Sequence, residues 1–181
     1  MTNKKINFKK SDQLDSTSDA VFLLGDANES LFSLPENFVK LIITSPPYNI
    51  GKEYEDKKSL DEYFETIIPI IKELKRVLKK DGSVCWQVGN HINDGEIFPL
   101  DIYYYQIFKD LGFKLRNRII WHFNHGLHGT KRLSGRYETM LWFTKSDSYT
   151  FNLDDIRIKQ KYPGKRQSKP GKNFGKPSGN I

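Results

Sequence analysis

The chain has a single cysteine, Cys85, no apolar run long enough to span a bilayer, and no acidic residue in its last 25 positions. One thiol excludes an internal disulfide framework and a four-cysteine zinc site. A membrane helix needs about 20 consecutive apolar residues, and a signal peptide needs an apolar stretch that Met1-Thr-Asn-Lys-Lys lacks. A soluble, cytoplasmic protein follows by default. The missing acids matter because of what replaces them. Eight basic residues lie between Arg157 and Ile181, so, with a net charge of +7 overall, residues 1–156 sum to −1. Gly164, Gly171, Gly175 and Gly179 alternate there with Pro163, Pro170 and Pro177, which disfavours a helix. A basic segment of this kind is the electrostatic footprint of a phosphate-binding arm. Charge alone fits a solvated tail equally well.

What is present reads as alternating strands and helices in a chain of 181 residues, 37% apolar, enough for one domain with a core. Residues 1–19 are a polar leader, 20–156 an α/β domain and 157–181 the basic Gly/Pro-rich segment. Ala20–Leu24 reads as a short strand, Ser30–Leu34 as a helical turn and Phe38–Ser45 as a buried strand. Ser59-Leu-Asp-Glu62 is a capping-box pattern opening a helix whose apolar residues, from Leu60 to Leu78, share one face. Pro69 should kink that helix, and Gly82 should stop it. Ser83–Val88 reads as a strand, and Leu100–Leu111 as a helix stopped by Gly112. Lys114–Phe123 and Tyr137–Thr144 read as strands separated by a long loop. Trp86, Trp121 and Trp142 lie in strands and are expected in the core. Tyr103-Tyr104-Tyr105 should divide between core and solvent.

The strand that ends at Ser45 runs directly into Pro46-Pro47-Tyr48. Two prolines cannot continue a ladder, so the Ser45 and Pro46 carbonyls are left unpaired by the sheet, with an aromatic ring just beyond. Such a turn suits an exposed amino group, offering acceptors for its hydrogens and a ring to stack on its base.

Thr44-Ser-Pro-Pro-Tyr-Asn49, with Leu24-Gly25-Asp26 upstream, resembles the DNA methyltransferases that act on exocyclic amines, adenine N6 or cytosine N4, with S-adenosylmethionine (SAM). Arg76–Gly89, Arg118–Phe123 and Arg136–Thr144 continue the resemblance in that family's order. The branch resembled is the permuted one, with the catalytic tetrad first, target recognition next and a glycine-rich cofactor loop last. No Asp-Pro-Phe-x-Gly-x-Gly-type loop follows here, so the resemblance implies an incomplete chain. Its fold would be a partial Rossmann-like α/β sheet, with strands 3 to 7 present and strands 1 and 2 missing together with that loop. Strand 4, Phe38–Ser45, would then be a bare apolar edge in need of a partner.

The resemblance makes Ser45, Pro46, Pro47 and Tyr48 catalytic. The Ser45 side chain and the Pro46 carbonyl would hold the two N–H groups of a flipped base, and Tyr48 would stack on it. Serine stands at position 45 where many adenine-directed members have aspartate, and the target base stays open. Asp26 and Thr44 would lie by the cofactor, although Gly25-Asp26 also reads as a plain turn. Asn49 would shape the pocket loop. Lys131, Arg132 and Arg136 of the long loop, with Lys161, Lys165, Arg166 and Lys169 of the tail, would contact phosphates of double-stranded DNA. Glu138 could instead serve as a structural partner for a neighbouring arginine. His122, His125 and His128 have a ligand-like spacing, but Gly126 and Gly129 argue for a loop, and the chemistry needs no metal. The implied function is site-specific DNA methylation in a restriction–modification system. A non-catalytic nucleic-acid-binding remnant, a subunit of a split enzyme, and a methyltransferase for RNA or a protein amide are the alternatives.

Overall fold

The helix that opens at Ser59 sets the frame. In a computed structural model that describes residues 8–10, 20–50, 58–126, 128–158, 164 and 166, α2 runs from Leu60 to Val77. The Glu62 amide donates to Ser59 Oγ at 3.3 Å, and the Glu62 carboxylate accepts from the Ser59 amide at 3.0 Å, which completes a capping box. The Ser59 hydroxyl, followed by its backbone, holds the Glu62 carboxyl below its ordinary range. Replacing Ser59 with alanine is expected to lower stability by about 1 kcal/mol, read as a lower urea midpoint at unchanged slope.

Tyr63, Ile67, Ile71, Leu74 and Val77 form the buried face of α2, which passes through Pro69. It does not reach Gly82. Chain pairing ends it earlier, because Leu78–Val88 forms an eleven-residue strand, β4. Gly82 belongs to that strand's irregular start, where the register against β3 (Val39–Thr44) shifts between Val39 and Leu41. A Cβ there would lie 2.9 Å from the Lys40 carbonyl oxygen and 2.8 Å from Leu78 Cδ1. The glycine permits a close approach of two strands and does not cap a helix.

The main sheet has the order β3-β4-β8-β7, with β7 spanning Lys114–His122 and β8 spanning Tyr137–Thr144. β3 and β4 are parallel, while β4–β8 and β8–β7 are antiparallel. The expected pairing of the middle strands and the edge hairpin are therefore both present. Helix α3, Leu100–Asp110, ends at Gly112 with φ +79°. One sheet face, with Val84, Trp86, Leu141 and Phe143, packs with α2 and α3 residues into a continuous core. Phe108 stacks on Phe143 with ring centroids 4.3 Å apart, and Trp86 meets it edge-on at 5.3 Å. Tyr104 is buried, and Tyr103 and Tyr105 are exposed, as the run predicts.

The opposite face has no such layer among the described residues. Strand alternation and register set Ile43, Cys85 and Trp142 side by side on it. Leu41 is 53% exposed and Ile43 66%, so β3 is not the buried strand that its apolar run suggests; it is the apolar edge that the resemblance implies. Trp121 is 56% exposed and Trp142 half-buried; of the three tryptophans only Trp86 fills the core. A period-2 strand buries only the side that something covers.

Two further departures concern short strands. β2 is Ala20–Phe22 and pairs in parallel with β1, Phe8–Lys10, in a separate two-stranded sheet. The resemblance makes β2 strand 3, which two further strands separate from strand 4 in the complete sheet; here it lies outside the four-stranded sheet, and the polar leader contributes a strand. Helix α1, Ala27–Ser33, follows β2. The hairpin of β5 (Asn90–Asn93) and β6 (Glu96–Pro99) has no counterpart in the sequence reading. Its turn residues Asp94 and Gly95 both have left-handed φ, 49° and 83°, which is the Asp-Gly signature of a two-residue hairpin.

Contacts divide the chain into residues 1–149 and 150–181. Among its described residues the second unit has a 3-10 turn, Leu153–Ile156, closed by an Arg157–Asp154 ion pair at 2.5 Å. Among the described residues no helix is long and apolar enough to cross a membrane.

Candidate active site

Ser45-Pro46-Pro47-Tyr48 leaves the carboxyl end of β3, beside the carboxyl end of β4 and the start of β8. Pro46 is buried, and among the described residues none donates to its carbonyl. The Pro47 carbonyl is held, because Tyr63 Oη of α2 donates to it at 2.5 Å. Tyr63 Oη also lies 2.5 Å from Tyr104 Oη of α3. A phenol has one hydrogen, so Tyr104 donates to Tyr63 and Tyr63 to Pro47. Burial, and then Tyr63, push the Tyr104 phenol far above its ordinary range, which keeps it a donor. Pro47 thus hangs from α2 through Tyr63, which α3 steadies through Tyr104.

Asn49 fixes the exit from the tetrad. It is 2% exposed, has φ 56°, and its amide bonds both backbone groups of Lys58, donating at 2.7 Å and accepting at 2.8 Å. This bridge closes the loop before α2.

Tyr48 faces a cleft of about 620 Å³, lined also by Gly89, Phe123, Tyr137, Glu138 and the loop 128–135. A Cβ at Gly89 would come within 2.9 Å of Tyr48 Cε2, so only glycine leaves the ring its place. Tyr48 Oη lies 2.8 Å from Ser45 Oγ and donates to Glu138 Oε2 at 3.2 Å. Gln87 Nε2 donates to the same oxygen at 2.6 Å. Glu138 therefore serves a tyrosine and a glutamine, not the neighbouring arginine that the sequence suggests. Sequence reasoning missed Gln87, Gly89 and Glu138 as site residues. The available signal was topological: antiparallel β4–β8 pairing brings the end of one strand to the start of the other.

The loop between β7 and β8 folds back on itself. The Gly129 amide donates to Ser134 Oγ at 3.0 Å, and a Cβ at Gly129 would lie 2.5 Å from the Arg132 carbonyl oxygen. Lys131 and Arg132 are exposed on its tip and line the cleft. Arg136 ties the loop ends, donating to the Asn124 carbonyl at 3.3 Å and lying 3.3 Å from His128 Nδ1. His125 stacks on Phe123 at 4.8 Å and His122 ends β7. Among the described residues, no group of His, Cys, Asp and Glu side chains forms a metal-binding cluster.

The remaining expected site residues lie apart. Asp26 caps α1, accepting from the Asn28 amide at 2.8 Å, next to an open cleft of about 170 Å³ at Leu23–Gly25. Thr44 is the last residue of β3, opposite Trp86. Arg166 is exposed in the second unit, while Lys161, Lys165 and Lys169 lie outside the described residues. Burial raises the Cys85 thiol and disfavours its thiolate.

The profile of the DNA methylase family matches residues 39–181. The chain is 48% identical over 159 residues to the type II methyltransferase M.BglII of Bacillus subtilis, covering 86% of this chain and 44% of that protein. It is 36% identical over 150 residues to the type II methyltransferase M.HpaI of Haemophilus parainfluenzae, covering 80% and 45%. The chain thus spans about half the length of these relatives or less. Among solved structures, the fold matches PvuII DNA methyltransferase (cytosine-N4-specific) with a TM-score of 0.64 at 24% identity, over 85% of this chain and 56% of that one.

Proposed function

Starting from the chain's membership of the N6/N4 DNA methylase family, we propose that it carries the catalytic tetrad of an enzyme that methylates an exocyclic amine of adenine or cytosine in double-stranded DNA, within a restriction–modification system. The observation that carries this reading is Tyr48, the last residue of the tetrad, on the wall of the 620 Å³ cleft. That volume lies within the roughly 300–1,000 Å³ usual for small-molecule sites, room for a base taken out of the duplex. SAM would supply the electrophilic methyl group.

The chain's own residues act on the base. An exocyclic amine is a weak nucleophile because its lone pair is delocalised into the ring. Acceptors at the Pro46 carbonyl and Ser45 Oγ hold its two N–H groups and raise the electron density on nitrogen. Tyr48 presents its ring for stacking and fixes the plane of the base. Direct transfer needs no covalent bond to the protein, in keeping with a Cys85 thiol held protonated by burial.

For SAM the fit is partial. Asp26 uses one carboxylate oxygen to cap α1 and has a second at the exposed strand end, able to accept from a hydroxyl or ammonium group. The adjoining cleft, about 170 Å³, is below the usual size of a complete site. Asp26 and Thr44 would thus hold only part of SAM. The uncovered sheet face and the open β3 edge favour further polypeptide, in the same or a second chain, as the source of the rest. Lys131 and Arg132 on the cleft rim, with Arg166 and the lysines of the basic tail, supply phosphate contacts. The cytoplasm, where DNA is accessible, is the proposed location.

Transfer of labelled methyl from SAM to duplex DNA by the enzyme containing this chain, followed by digestion to nucleosides, tests the proposal. The expected product is N4-methylcytosine or N6-methyladenine. Label in RNA or protein, with none in DNA, overturns it.

A further inference from the structure

We infer that Glu138 is a positioning residue that turns Ser45 into an obligate hydrogen-bond acceptor, acting through the hydroxyl of Tyr48. The inference rests on the methyltransferase reading and extends its site. Either oxygen of the 2.8 Å Ser45–Tyr48 contact could donate if the pair stood alone. It does not stand alone. Tyr48 Oη is 3.2 Å from Glu138 Oε2, and an ionised carboxylate can only accept. The single phenolic hydrogen is therefore directed at Glu138. Tyr48 Oη is left with lone pairs toward Ser45, so the Ser45 hydroxyl must be the donor in their contact. Its only hydrogen then points at Tyr48, and what remains for a substrate is a lone pair.

That polarity is what an exocyclic amine requires. A free serine hydroxyl rotates and can donate as readily as accept, and a donated hydrogen would compete with methyl transfer for the amine lone pair. An aspartate at position 45 would accept by virtue of its charge; here the charge stands one tyrosine away. Two neighbours fix the arrangement. Gln87 Nε2 donates to Glu138 Oε2 at 2.6 Å and pins the carboxylate. Gly89 leaves open the space that the Tyr48 ring must occupy to reach both partners. Tyr48 and Glu138 both line the cleft, and Ser45, exposed at the end of β3, meets the Tyr48 hydroxyl from the other side.

Two measurements test the relay. Raman spectroscopy of the tyrosine Fermi doublet, as the difference between the unmutated chain and Tyr48→Phe, reports whether Tyr48 donates or accepts. A donor signature is expected, changing to an acceptor or water-bonded one in Glu138→Leu; an acceptor signature in the unmutated chain overturns the inference without reference to methylation. In the enzyme containing this chain, Glu138→Leu is expected to lower kcat by about 10- to 100-fold with KM for DNA nearly unchanged, less than the loss of a whole preorganised group. Glu138→Gln, whose amide oxygen can still accept from both partners, loses less. Ser45→Asp added to Glu138→Leu restores most of the lost kcat, because aspartate accepts without the relay, whereas a merely structural Glu138 would give no such rescue. Full kcat in Glu138→Leu, or no rescue by Ser45→Asp, overturns the inference. Failure of the methyltransferase reading is distinct: the unmutated enzyme transfers no methyl group while the donor signature is intact.

Discussion

Tyr48→Ala lowers the turnover of methyl transfer by about 100-fold or more, combining roughly 1–3 kcal/mol of base stacking with the loss of an oriented acceptor. The two losses have one origin. Removing the ring leaves the extruded base without its platform and also breaks the contacts at 2.8 and 3.2 Å that link Ser45 to Glu138. Affinity for DNA should change much less, because phosphate contacts supply most of it, and these come from other residues. Single-turnover transfer at saturating SAM, beside filter binding of the same duplex, separates the two quantities. Tyr48→Phe retains the ring and removes only the hydroxyl, so its loss should lie between the unmutated enzyme and Tyr48→Ala. Unmutated turnover in Tyr48→Ala would remove the tetrad from the reaction.

Phe108→Ala destabilises the chain by about 3–5 kcal/mol, the usual cost of an aromatic-sized cavity in a packed core. Phe108 is fully buried, stacked on Phe143 of β8 and in edge contact with Trp86 of β4 and with Phe113. It therefore joins α3 to both central strands, and no neighbour can fill the gap without leaving another. Domains of this size are stable by only about 5–15 kcal/mol, so the variant should be partly unfolded at room temperature in low urea. Trp86, 5.3 Å from Phe108, provides the fluorescence readout. A change below 1 kcal/mol would show that the core is organised otherwise.

What the sequence made legible were features whose cause is local. Ser59 to Glu62 carries its own start signal, Gly112 its own stop, and the alternation in Tyr137–Thr144 its own strand. What it hid depends on residues distant along the chain. Gly82 looks like a helix stop until the Lys40 carbonyl is seen against it. Trp121 looks like core until its face of the sheet is seen to have no layer over it. For the candidate site, the turn at Pro46-Pro47 was readable because proline fixes a backbone wherever it stands. Glu138 was not, since its partners Gln87 and Tyr48 are 51 and 90 residues away and only the strand order brings them together. The Asp94-Gly95 turn was the one local signal that went unused.

The uncovered face of the main sheet also bears on synthesis. The strands β3, β4, β7 and β8 and the helices beneath them can pack as soon as they have left the ribosome, whereas Ile43, Trp142 and Trp121 await whatever covers them. During that interval the molecule presents a flat, sticky surface to other nascent chains, and the yield of soluble protein becomes a race between covering and clumping. Producing this chain together with the part of M.BglII that it does not match should therefore raise the recovered amount more than slowing expression does.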